Sequence, residues 1–164
     1  MRNAHLPLTL GTEEHVLVIG PSYGPRLDGA EGVKTPLGAG IRAVHGNVRE
    51  VLLDRRPAEE ALAEARQAAA AAAAVVYGVE EGHSYPEHQA LIRELVGSGR
   101  PVVVVGLGMP YELTAIPEIE TYIAAYGYRE PNLIGVGDLI FGRMKATGKL
   151  PVSIPGLYPV GHGL

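Results

Sequence analysis

The sequence predicts an α/β fold of flavodoxin-like type, a doubly wound, mostly parallel sheet of about six strands with helices on both faces. Three observations carry this. Short continuous apolar runs, the mark of strands buried on both faces, recur along the chain. Helix-length segments separate them, so strand and helix alternate. The last run contains Pro151, which cannot donate to a ladder and marks a sheet edge, predicting an antiparallel edge strand at the chain's end.

The elements follow in order. Residues 1–14, with the Leu6-Pro7-Leu8 step, read as a linker-like segment, and 15–164 as a single domain. The start therefore has the look of one part of a longer protein. His15 to Pro21, "HVLVIGP", is the first strand, and the glycines and prolines of 21–36 form a loop. A helix begins near Pro36 and runs toward His45, and "VREVLLD", 48–54, is the second strand. Pro57 to Ala73 is the clearest helix: Pro57 suits its first turn, Glu59 and Glu60 its positive end. Seven consecutive alanines, Ala68–Ala74, add high helix propensity and a small profile for lying on a sheet. "AVVYGV", 74–79, is the third strand. Pro86 to Val96 is a helix ended by Gly97 and Gly99, and "PVVVV", 101–105, is the fourth strand. Thr121–Ala125 is the fifth strand, Pro131–Phe141 a helix, and Lys149–Ile154 the last strand.

Composition narrows the function. A net charge of −4 with scattered arginines argues against a nucleic-acid partner. The longest uncharged apolar run is too short to span a membrane, and the opening residues lack the apolar stretch of a signal peptide. This leaves the compartment unknown. There are no cysteines, hence no thiolate metal site and no thiol nucleophile. No metal and no cofactor are expected.

Ligands of open α/β sheets collect at the carboxyl ends of strands. Three loops lie there. "IGPSYGPRLDGAEG" has neither GxGxxG nor GxxxxGK[ST], so a stand-alone flavodoxin-like nucleotide-binding protein lacks its fingerprint despite Asp54. "GVEEGHSYPEHQ" supplies Glu80, Glu81, His83 and Tyr85, carboxylates and rings that suit acid–base work or hydroxyl binding. His83 and His88 are five apart, wrong for one helical metal face. "GLGMPYELTAIPE" supplies Tyr111 and Glu112, although glycine and proline turns explain that segment equally well. Glu80, His83, Tyr85, Tyr111 and Glu112 are the substrate-cleft candidates. Tyr77, Tyr85 and Tyr111 on neighbouring strand ends would also suit a sugar-binding module that does not hydrolyse its ligand. No complete catalytic constellation is visible.

Read together, "PVVVVGLGMPYEL", "TYIAAYGYREPNLIGVGDLIFGRMKATGKLPVSIPG" and the lead-in "RNAHLPL" resemble the C-terminal α/β domain of glycoside hydrolase family 3, in its β-N-acetylhexosaminidase-like branch. Gln89 also matches a glutamine frequent in that family, while Met109 stands where the family has asparagine. The resemblance implies a separate (β/α)8-like barrel that carries the nucleophile of a retaining glycosidase. This domain would pack on the barrel and shape one side of a carbohydrate cleft. The chain alone would then be inactive, and its apolar barrel-facing surface would favour self-association. Glu80 and Glu81 lie near the region where the β-glucosidase branch places its acid/base. Glu81 is therefore the one acid/base candidate that the resemblance implies.

Overall fold

A computed structural model describes residues 2–22 and 35–163. Most of the loop expected over 21–36 therefore lies outside the described residues. The elements are β1 (Arg2–Asn3), β2 (Val16–Pro21), α1 (Pro36–Arg42), β3 (Val48–Leu53), α2 (Glu59–Ala71) and β4 (Ala74–Val79). They continue with a 3-10 turn (Gly82–Ser84), α3 (Pro86–Gly97), β5 (Val102–Gly106), α4 (Glu112–Ala115), β6 (Thr121–Ala124) and α5 (Glu130–Ile140).

The six strands form one sheet in the order β1-β6-β5-β4-β2-β3. All pairs are parallel except β1 with β6. Without β1 this is the doubly wound order of the flavodoxin-like fold. The central strands β4 and β5 are buried at every residue, which is why their sequences are apolar throughout. Successive side chains of a strand point to opposite faces, and each face builds its own core. Leu17, Ile19, Tyr77 and Val104 pack under α2 and α3, whose Ala65, Ala68, Leu91 and Ile92 join them. Val16, Val18, Val76 and Val105 pack on the other face with Leu37 and Ile41 of α1 and Leu133 and Val136 of α5.

The antiparallel edge strand is not the one expected. Residues 149–154 form no strand, and the edge is taken by Arg2–Asn3, with Arg2 opposite Tyr122 and Asn3 opposite Thr121. The physical reason lies in how each segment satisfies its backbone. The tail folds on itself: Leu150 N–H donates to the His162 carbonyl at 2.8 Å, Gly161 N–H donates to the Leu150 carbonyl at 2.8 Å, and Ile154 bridges Tyr158. Prolines 151, 155 and 159 suit those turns better than a ladder. Arg2 is fixed by its guanidinium, which donates to the carbonyls of Pro117 and Ile119. The segment 1–14 also contributes Leu8 to the core, its N–H donating to the Ile140 carbonyl at 2.8 Å.

One buried carboxylate organises the start of α1. Glu50 of β3 accepts from the Thr35 N–H at 2.7 Å and the Thr35 hydroxyl at 2.8 Å, and pairs with Arg42. Thr35 in turn caps the helix by accepting from Gly38 N–H at 2.8 Å.

Candidate functional site

The predicted site residues converge on the carboxyl end of the sheet, on the loops that leave β4 and β5. After β4 the chain passes Glu80 and Glu81 and enters the 3-10 turn. Glu81 holds a left-handed backbone, φ 55°, which lets its carbonyl accept from Ser84 N–H and close the turn. Gln89 of α3 donates to the carbonyls of Gly82 at 3.2 Å and His83 at 2.9 Å, pinning the turn to the helix behind it. After β5, α4 begins beside this turn. The His83 ring meets the Tyr111 ring edge-on, with centroids 5.8 Å apart. The two loops therefore make one continuous rim.

Glu112 points inward from that rim and is fully buried. Its Oε2 accepts from the Tyr122 hydroxyl of β6 at 2.6 Å, while its Oε1 is buried without a hydrogen-bond partner. Burial pushes the Glu112 carboxyl above its ordinary value, and the bond from Tyr122 offsets part of that rise. Enclosure keeps this acid from meeting a substrate, so it supports the rim from inside. Nδ1 of His83 is likewise buried and unpartnered.

Glu81 has the opposite setting. Its carboxylate is half exposed and lies 3.7 Å from the Arg55 guanidinium, which sits 5.9 Å over the Tyr85 ring. A general acid is normally held in a desolvated pocket, and Glu81 is not in one. The three tyrosines expected on one surface do not share it: Tyr77 is fully buried. Its position alternates inward on β4, where a large ring fills the core under α3.

No local pattern in the sequence joins Tyr77, His88 and Asp54, which the fold brings into contact. The Tyr77 hydroxyl lies 2.8 Å from His88 Nδ1, and His88 Nε2 lies 3.0 Å from the Asp54 carbonyl. A carbonyl only accepts, so Nε2 carries the proton and Nδ1 accepts from Tyr77. This chain ties β4, α3 and the end of β3 together. It floors a cavity of about 420 Å³ where the crossovers from β2 diverge, rimmed by Ser22, Asp54, Arg55 and Glu80. Such a rim can accept hydrogen bonds from ligand hydroxyls. Among the described residues no cluster of three or more metal-ligating side chains occurs, and no helix is long and apolar enough to cross a membrane.

Burial pushes the His88 imidazole below its ordinary value, partly offset by its bond to Asp54. His88 therefore contributes stability that is full above about pH 6.5 and is lost as the pH falls from there through the lower folded value. His88→Gln is expected to flatten the stability profile between pH 7 and pH 5, as read by urea denaturation at each pH. An unchanged acid-side slope would assign the loss to other groups.

Residues 1–158 match the family described as the glycosyl hydrolase family 3 C-terminal domain. No curated protein matches the chain. Among solved structures, a fungal multi-domain family 3 β-N-acetylglucosaminidase with a GCN5-related glucosamine N-acetyltransferase region aligns at a TM-score of 0.78. The identity is 20%, over 99% of this chain and 18% of that one. A family 3 β-N-acetylglucosaminidase from Paenibacillus sp. str. FPU-7 aligns at a TM-score of 0.72 and 23% identity, over 85% of this chain and 27% of that one. A β-glucoside phosphorylase, BglX, aligns at 0.56 and 18% identity, over 95% of this chain and 29% of that one. At these identities the likeness shows the fold, and the chain spans less than a third of each of those proteins.

Proposed function

The chain belongs to the glycosyl hydrolase family 3 C-terminal domain family, and we propose that it is the non-nucleophile domain of a retaining β-N-acetylglucosaminidase-like glycosidase. It packs on a catalytic barrel and presents the rim of Glu80, His83, Tyr85 and Tyr111 to one side of a carbohydrate cleft. The observation that carries this reading is the build of that rim. Gln89, the His83–Tyr111 contact and the buried Glu112–Tyr122 pair fix two neighbouring strand-end loops as one unit. A wall that positions substrate must be held from behind in this way. The retaining mechanism needs a carboxylate nucleophile and an acid/base flanking the scissile bond, and this reading assigns both to the barrel. The β-N-acetylglucosaminidase names of two structural neighbours support the choice of sugar.

In the complete two-domain enzyme, Glu81→Gln is expected to change kcat for an aryl β-N-acetylglucosaminide less than about threefold, because Glu81 is paired and exposed rather than poised as an acid. A fall of about a hundredfold or more, restored by azide or another small nucleophile, would make Glu81 the acid/base and overturn the division of labour.

A further inference from the structure

Two buried side-chain atoms among the described residues make no hydrogen bond, Glu112 Oε1 and His83 Nδ1. They belong to neighbouring loops. A Cβ on Gly82, the residue before His83, would lie 3.4 Å from Glu112 Cγ, and the His83 ring meets Tyr111, the residue before Glu112. A buried polar group without a partner bears the full cost of its lost hydration. One bond between the two atoms, direct or through an enclosed water, satisfies both.

The direction of that bond follows from the partners already in place. Burial raises the Tyr122 phenol, so it keeps its proton, and its hydroxyl donates to Glu112 Oε2 at 2.6 Å. Oε2 therefore accepts, which leaves Oε1 as the place for a Glu112 proton. Burial favours that uncharged acid. Nδ1 of His83 is then the acceptor, and a neutral imidazole that accepts at Nδ1 holds its proton on Nε2. His83 is half-buried, and with Nδ1 turned inward Nε2 opens on the rim.

We propose that Tyr122, Glu112 and His83 form an uncharged relay of donors whose last member, the His83 Nε2–H, is a specificity determinant that binds the acetamido carbonyl of an N-acetylated sugar. Next to His83 stand Glu80 and the Arg55–Glu81 pair, a setting that favours an uncharged group over a carboxylate. A carbonyl only accepts, and so matches a group that only donates. The Tyr111 ring beside His83 gives the acetamido methyl an apolar contact. His83 touches the sugar, while Glu112 and Tyr122 act through it as positioning residues. The choice of sugar group rests on the cleft reading, whereas the relay does not.

Long-range proton–nitrogen correlation NMR of the chain at pH 7 reads the His83 tautomer directly. The expected result is a proton on Nε2 and none on Nδ1. Glu112→Gln should keep that tautomer, because its amide N–H stands in for the acid proton, and Glu112→Leu should lose the preference. A proton on Nδ1, or a tautomer unchanged in folded Glu112→Leu, would overturn the relay. If Glu112→Leu does not fold, the tautomer of the parent decides. In the complete two-domain enzyme, His83→Phe removes the donor and keeps a ring against Tyr111. It should lower kcat/KM for an aryl β-N-acetylglucosaminide about tenfold and that for the matching aryl β-glucoside less than about twofold. Equal losses on the two substrates would overturn the acetamido contact and leave the relay to the spectra. Turnover that is the same with and without this domain would sink the cleft reading, and the acetamido contact with it.

Discussion

Gly40→Ala is expected to destabilise the domain by about 3 kcal/mol, a large part of the stability of a domain this size. Helices α1 and α5 cross on one face of the sheet with backbone against backbone. A Cβ on Gly40 would lie 2.1 Å from the Leu133 carbonyl oxygen, and one on Gly137 would lie 2.2 Å from the Gly40 carbonyl oxygen. No rotamer relieves such a contact, because both atoms belong to main chain. The helices would have to separate, uncovering Leu37, Ile41, Leu133 and Val136 from the core they share. Intrinsic propensity acts in the opposite direction, since alanine in a helix is favoured over glycine by about 1 kcal/mol. Gly135→Ala provides the control: on the same helix α5 its Cβ would meet only the Met144 methyl at 3.5 Å. Urea denaturation should show Gly40→Ala and Gly137→Ala strongly destabilised and Gly135→Ala neutral or slightly stabilised. Similar behaviour in all three would refute the close crossing.

The second large effect is expected at the buried acid. Tyr122→Phe removes the one side-chain hydrogen bond to Glu112 and is expected to cost about 2 kcal/mol. The cost should depend on pH. Burial raises the folded value of Glu112 above the unfolded one. A raised carboxyl favours the folded state most when protonated, so this contribution is full below the unfolded value near 4.3. It is lost as the pH rises from there through the folded value. Tyr122→Phe should therefore be more damaging at pH 8, where Glu112 is driven toward a buried charge without its donor, than at pH 5. Glu112→Gln removes the titration while keeping the shape. It should leave stability at pH 8 equal to or above that of the parent, and it should shrink the penalty of Tyr122→Phe in a double-mutant cycle. A Tyr122→Phe penalty that is equal at both pH values and unaffected by Glu112→Gln would show that the hydroxyl acts only through packing.

Most of the sheet was legible because its strands are buried on both faces, and a continuous run such as Val102–Val105 has few other places to go. The edge was not. Arg2–Asn3 carries no apolar pattern and becomes a strand through an arginine that finds two carbonyls far along the chain. The tail has the apolar alternation of a strand, but its prolines and glycines let it bond to itself. The short helix α4 leaves no signal in the sequence, since four residues hold no period and tertiary contacts fix it. At the site, the residue types that face outward could be read from the strand ends. Their inner partners could not. Tyr122 reaches Glu112 only because β6 lies parallel to β5 with Tyr122 opposite Val104. His88 reaches Asp54 only because the first turn of α3 comes to the residue that follows β3. Those are facts of register and packing, which no local pattern encodes.

The domain is proposed to support a site whose nucleophile and acid/base lie on the barrel. The most direct measurement is hydrolysis of an aryl β-N-acetylglucosaminide by the chain alone, by a separately produced family 3 barrel, and by the two mixed. No turnover is expected from the chain alone, and more from the mixture than from the barrel. Turnover by the chain alone that disappears on Glu81→Gln would contradict it and move the chemistry to the loop after β4.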